Sequence, residues 1–211
     1  MRAPVPTTGK NSSEQQSHAI CHKLALVQQP LSWNLRIAQA LTAFALADYQ
    51  AEDGLRPDLE LILKAEQTWE GILGRSPTND MARTNLVVVR RRLAAELADR
   101  GRSGEASRWR SRALETVRGN PELSYAVALH YARKAGLTGS YPTRLSEGQR
   151  AARRRWFAAG AVAMLRQALA DGFHDAGELR GESLFDPLRS DPGFRTLLAD
   201  LEFPAEPFAQ P

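Results

Sequence analysis

Apolar residues recur three and four places apart along most of this chain, the spacing that gathers them on one face of an α-helix. Trp33, Ile37, Ala40, Leu41, Phe44 and Leu46 follow it across 32–49, and Ser32 stands where an N-cap belongs. Before them, 18–29 suits a shorter helix ended by Pro30. A break over 52–57 precedes Leu59, Ile62, Leu63, Ala65, Trp69, Ile72 and Leu73, so 32–74 reads as a helical hairpin. Ser76 to Asp80 stops that helix and caps another over 81–98. Gly101 and Gly104 then punctuate a tight turn before a helix over 105–117, giving a second hairpin at 80–118. Helices over 122–134 and 147–170 make a third at 121–171, across a long connection containing Gly136, Gly139 and Pro142. Period-two alternation is confined to 85–89, inside a longer helical pattern, so the expected fold is all-α.

Beyond Ala170 the pattern shortens. Asp171 and Asp175 flank Gly172 as turn and cap residues, and Asp186-Pro187 and Asp191-Pro192 each pair an N-capping carboxylate with a proline for the first helical position. After the second pair, Phe194, Leu197, Leu198 and Leu201 share one face. Short capping helices over 175–202 are expected to seal the end of the array.

Hairpins of roughly 40 residues lie within the range of helical repeats. In the second helix of the first hairpin, Ala65, Trp69, Ile72 and Pro77 fall at the offsets of a tetratricopeptide repeat. Leu93, Ala94, Leu97, Gly101, Ala106, Ala113 and Leu114 occupy such places in the second hairpin, although Arg90 and Arg110 stand where a large apolar residue is usual. Tyr125, Ala128, Ala161, Leu165, Ala168 and Leu169 fit in the third if 137–148 is an insertion. The chain thus resembles tetratricopeptide-like hairpins, which implies a short right-handed solenoid over 17–204.

From Asn120 onward the likeness narrows. Tyr125-Ala-Val-Ala-Leu-His-Tyr-Ala, Ala163-Met-Leu-Arg-Gln-Ala-Leu-Ala-Asp-Gly-Phe, Phe185-Asp-Pro-Leu-Arg-Ser-Asp-Pro-Gly-Phe and Leu201-Glu-Phe-Pro-Ala-Glu-Pro-Phe resemble the C-terminal repeat region of planctomycete-type bacterial serine/threonine protein kinases. That resemblance implies an interaction or regulatory module of the kind that follows a kinase domain. The catalytic parts of a kinase are missing from the sequence: it has no Gly-rich phosphate loop, strand lysine, catalytic-loop aspartate or Asp-Phe-Gly. Gly101-Arg-Ser-Gly104 is too short for a phosphate loop and reads as a turn.

Composition limits the remaining classes. With 211 residues, 43% hydrophobic and 25% charged, the chain is long enough for one ordinary domain or one short repeat array. Residues 1–16 are too polar to fold alone, and 205–211 form a tail. A lone Cys21 excludes an internal disulfide, the apolar runs are too short to span a membrane, and Pro4, Pro6, Lys10 and Glu14 break up any signal-peptide core. These features point to the cytoplasm. His18 and His22 have the i, i+4 spacing of paired metal ligands but lack the glutamate of a zinc-protease motif, and Cys21 points elsewhere on the helix. His130 and His174 are isolated. The reading is a protein without catalytic residues, metal or cofactor.

Arginine remains: Arg90-Arg91-Arg92, Arg100, Arg102, Arg108, Arg110, Arg112, Arg150 and Arg153-Arg154-Arg155, with Trp109 and Trp156 among them. A pI near 9.6 and basic clusters with aromatics suit nucleic acid. Against that, the net charge is only +4, and acidic residues are interspersed. Solvated helix faces are the plainer account, followed by an acidic protein or peptide partner and then nucleic acid. In a tetratricopeptide array the first helix of each hairpin lines the concave, peptide-binding surface. By position this exposes Arg91, His130, Arg133 and Lys134, a basic groove suited to an acidic segment or a free carboxylate. The expected function is a non-catalytic protein-interaction scaffold or regulatory module. The alternatives are a basic nucleic-acid-binding protein and an inactive remnant of a truncated kinase.

Overall fold

Eight α-helices and one 3-10 helix follow one another, with no strand, among the residues that the computed structural model describes: 33–138, 140 and 143–202. They are α1 (Trp33–Glu52), α2 (Leu59–Leu73), α3 (Asp80–Asp99), α4 (Ser103–Val117), α5 (Pro121–Leu137), α6 (Glu147–Ala170), α7 (Ala176–Gly181), the 3-10 helix (Ser183–Leu188) and α8 (Pro192–Glu202). The all-helical class read from the sequence holds. The expected helix over 18–29 and the expected cap at Ser32 lie outside the described residues.

Local chemistry sets the boundaries. Asp58 starts α2 by accepting the Glu60 N–H at 2.9 Å, Asn79 starts α3 through the Ala82 N–H, and Asn120 starts α5 through Leu123, with Pro121 just behind it. Ser146 opens α6 with a capping box, its hydroxyl on the Gln149 N–H and the Gln149 side chain on the Ser146 N–H. Asp191 accepts from the Phe194 N–H at 3.1 Å, as its pairing with Pro192 predicts. Its counterpart differs: Asp186 and Pro187 lie inside the 3-10 helix, whose cap is Glu182, and the Asp186 carboxylate receives Arg189 instead. Gly101 has a φ of +75°, which an L side chain rarely adopts, and so turns the chain between α3 and α4. Gly104 does not share that role, because α4 already begins at Ser103.

Two compact units divide the chain, 1–38 and 39–211, and of the first only the opening turns of α1 are described. Within the second, α3 pairs closely with α4 and α5 with α6, so the hairpins expected at 80–118 and 121–171 are present. The one expected at 32–74 is not among the closely packed pairs. Instead α2 packs on α3, burying Ile62, Ala65, Trp69 and Ile72. Side-chain size explains why. Fully burying a large apolar side chain is worth roughly 1.5–3 kcal/mol, whereas the buried residues of α1 are only Ala40, Ala43 and Ala47. The main core is built largely on α5 and α6, with Val87 and Val88 of α3 joining it, and is closed by Leu179, Phe185, Leu188, Phe194 and Leu197 of the C-terminal helices. At Gly160 a Cβ would come within 2.9 Å of Tyr131 Cδ1, so the absence of a side chain lets α6 approach α5.

The arginines depart furthest from expectation. Arg90, placed where an apolar residue is usual, is buried between three helices. Its Nε donates to Glu66 Oε1 at 2.9 Å, its Nη2 to Glu70 Oε1 at 2.8 Å and its Nη1 to Thr116 Oγ1 at 2.9 Å. Arg92 is also buried, with Nη2 3.1 Å from Glu96. The solvated-face account is therefore wrong for these two: tertiary packing supplies the acceptors of Arg90, whereas Arg92 pairs one turn along its own helix and is covered by packing, its guanidinium carbon 5.6 Å from the centre of the Trp156 ring. Arg108, Arg110, Arg112, Arg154 and Arg155 are exposed, as that account expects.

Candidate functional site

On α5, His130, Arg133 and Lys134 lie at i, i+3 and i+4 and so share one edge of the helix. Neighbouring α3 sends Arg91 across, its guanidinium carbon 5.3 Å from the centre of the Tyr131 ring. From α6 comes Arg153, 5.4 Å over Phe157, while Arg92 lies 5.6 Å from the centre of the Trp156 ring. Tyr131, Trp156 and Phe157 meet edge-on or tilted, with Tyr131 and Trp156 centroids 5.8 Å apart and Trp156 and Phe157 5.0 Å apart. The result is an aromatic floor carrying three guanidinium groups, an arrangement favoured by the negative faces of the rings. The Nε atoms of Arg91 and Arg92 are buried and have no acceptor.

A carboxylate already sits at this surface. Asp48 of α1 places Oδ2 3.4 Å from Lys134 Nζ and Oδ1 3.5 Å from Arg153 Nη2, bridging α5 and α6. One turn on, Glu52 Oε1 lies 3.5 Å from the same Arg153 nitrogen, and the Glu52 carbonyl accepts the Thr143 hydroxyl at 2.6 Å. Asp53 faces Arg144 at 3.8 Å. Phe44, partly buried, packs against the main core. Beside these contacts, Ala51, Arg92, Leu145, Arg153 and Trp156 wall a pocket of about 330 Å³.

The electrostatics follow from burial and charge. Burial and the Lys134 ammonium lower the pKa of His130, Arg133 adds to this, and Asp48 opposes it. The ring is therefore kept neutral further into acid than an exposed histidine. Burial also lowers the pKa of Arg153, with Asp48 acting against it. The Tyr131 hydroxyl is pushed up to about 12, mainly by burial, while the Arg91 guanidinium pulls the other way. Nothing in this set pairs a nucleophile with a base.

Of the four residues expected to line a groove, Arg91 and His130 meet at Tyr131, Lys134 lies one turn on from His130 and pairs with Asp48, and Arg133 is exposed. Asp48 escaped the sequence reading because its partners stand 86 and 105 residues away. Its only local signal is that it is the first charge after Arg36 in a long uncharged stretch. Among the described residues, no three His, Cys, Asp or Glu side chains gather as metal ligands, and no helix is long and apolar enough to cross a membrane. His18, Cys21 and His22 lie outside the described residues. No family model, curated protein or solved structure matches this chain.

Proposed function

We propose that the chain is a non-catalytic protein-interaction module of tetratricopeptide-like hairpins, which takes an acidic segment of a partner on the basic, aromatic surface of α3, α5 and α6. The observation that carries this reading is the Asp48 carboxylate held between Lys134 and Arg153, an intrachain contact of the kind a partner's carboxylate would make. A carboxylate there gains charge-assisted contacts from two helices at once. The kinase-tail resemblance of 120–211 is in keeping with a regulatory module.

Nucleic acid fits less well. Arg90, Arg92 and Arg153 are already engaged by carboxylates, and although Arg108, Arg110, Arg112, Arg154 and Arg155 are exposed, the net charge is only +4, little for binding driven by counterion release. The test is a nuclease-treated pull-down comparing wild type with Arg91→Glu/Lys134→Glu. Specific proteins retained by wild type and lost from the variant are expected. Equal capture by both, or recovery of nuclease-sensitive material alone, sinks the proposal.

A further inference from the structure

The surface proposed for a partner is covered by the chain's own α1, and the way α1 is held differs from the way the other helices are held. From Gln39 to Glu52 its buried residues are three alanines, with Phe44 partly buried against the main core. Its polar contacts include ion pairs of 3.4–3.5 Å at Asp48 and Glu52, the Thr143 hydroxyl on the Glu52 carbonyl and the Asp58 N–H on Gln50 Oε1. Leu41, Leu46 and Tyr49 are apolar and exposed, so α1 is packed on one side only, with a single large side chain. Its fit is also incomplete. The Nε donors of Arg91 and Arg92 are unmet, and Ala51 borders a pocket of about 330 Å³ into which it projects only a methyl group.

We infer that α1 is a displaceable occupant of this surface, and that the partner segment is an acidic amphipathic helix of the same pattern with a larger apolar residue where α1 has Ala51. This rests on the proposed function and specifies its partner. Small residues at the places of Ala40, Ala43 and Ala47 let such a helix lie close to α5 and α6. Carboxylates at the places of Asp48 and Glu52 meet Lys134 and Arg153, and a leucine-sized side chain packs on the Leu145 and Trp156 side of the pocket, whose other walls include Arg92, Glu96, Asp99 and Gln149. This is recognition of a helix in a groove, with apolar anchors along one face and charge fixing its direction. α1 competes from within the same chain, so apparent affinity is lowered by the fraction of molecules in which it is docked.

The experiment uses the full chain and a fluorescent peptide of residues 39–56 carrying Ala51→Leu. Asp48→Lys/Glu52→Lys, which sets like charges against Lys134 and Arg153, is expected to release α1 and bind the peptide at least tenfold more tightly than wild type. Lys134→Glu/Arg153→Glu is expected to abolish binding. Should the double lysine variant lose its helical signal, Asp48→Asn/Glu52→Gln replaces it, with an expected gain of at least threefold. Equal affinity for wild type and released chain overturns the displacement while leaving the acid-binding surface intact. No binding to a released chain that remains folded overturns both. A wild type that dimerises on concentration and ignores the peptide assigns α1 to exchange between copies, which overturns the partner.

Discussion

At Arg90 one guanidinium is ringed by acceptors from the two helices flanking its own, whereas at Asp48 one carboxylate is set at longer range between cations of two other helices. Both junctions join helices distant in sequence by ion pairs. At Arg90 the distances are 2.8–2.9 Å, and arginine and Glu66 are both nearly inaccessible, their side chains 9% and 3% exposed. At Asp48 they are 3.4–3.5 Å; Asp48 and Arg153 are 13% and 11% exposed, and Lys134 keeps 38%. Distance and the exposure of one partner separate the two. A charge bonded closely by a buried acceptor cannot leave without stranding its partner, while one held at longer range beside an exposed cation gives up less. The first junction fixes α2, α3 and α4 together, and the second is suited to letting go.

The sharpest way to break this comparison is to remove Arg90. Arg90→Met leaves the Glu66 carboxylate buried and unpaired, which costs about 3–5 kcal/mol. Urea unfolding followed by helical signal measures it. Glu66→Leu in the same chain is expected to restore most of the loss, since an apolar pair of similar volume needs no desolvated charge. A loss below about 1 kcal/mol in the single variant would place Arg90 in the same class as Asp48.

Next in size is the α5 and α6 contact on which the site rests. Gly160→Ala presses a methyl into the Tyr131 ring, and overpacking of this kind costs about 1–3 kcal/mol, partly offset by the roughly 1 kcal/mol that alanine gains over glycine in a helix. Gly71→Ala, in α2 where nothing lies within 4 Å of the added carbon, receives only the gain. Opposite signs in thermal unfolding of the two variants are expected. The same sign in both would mean that Tyr131 gives way freely.

Those two glycines also mark how far the sequence could be read. The start of α3 was legible because Asn79, within the stretch Ser76 to Asp80, acts on an N–H three residues away, whereas the caps at Asn120 and Ser146 went unread although they work over the same distance. Periodicity gives 33–49 the same weight as 59–73, although one segment buries alanines and the other Trp69, Ile62 and Ile72. Periodicity alone therefore does not tell that α1 and α2 are not among the closely packed pairs. The site was half legible. Arg91, His130 and Lys134 follow from their positions in hairpins, but the carboxylate that meets Lys134 and the acceptors that bury Arg90 are long-range, and no local spacing encodes them.

Releasing α1 sharpens the comparison from the other side. Asp48→Asn removes the anion from between Lys134 and Arg153; at 3.4–3.5 Å, and with Lys134 exposed, its loss is expected to cost less than the roughly 3–5 kcal/mol of a fully buried pair. Its effect is expected to be local, with amide exchange in α1 accelerating well before that in α3. Exchange rising equally throughout the chain would show that Asp48, like Arg90, holds the whole fold.

The smallest expected effect is a pH slope, and it tests whether Asp48 acts on the surface as well as being held by it. His130 has its pKa lowered by burial first, then by Lys134 and Arg133, with Asp48 opposing. Because the folded pKa lies below that of the unfolded chain, the unfolded state takes up the proton first on acidification. Stability from the neutral ring is therefore fully present above the ordinary histidine pKa of roughly 6.5. It falls as the pH drops through that value towards the folded one. Wild type is expected to lose more stability between pH 7.5 and 5.5 than His130→Gln, read from urea midpoints at each pH. Asp48→Asn removes the one group that favours the imidazolium, so the fall should be steeper in that variant than in wild type. An unchanged slope in Asp48→Asn would mean that the carboxylate does not act on His130, and the clasp would then be the Lys134 and Arg153 contacts alone.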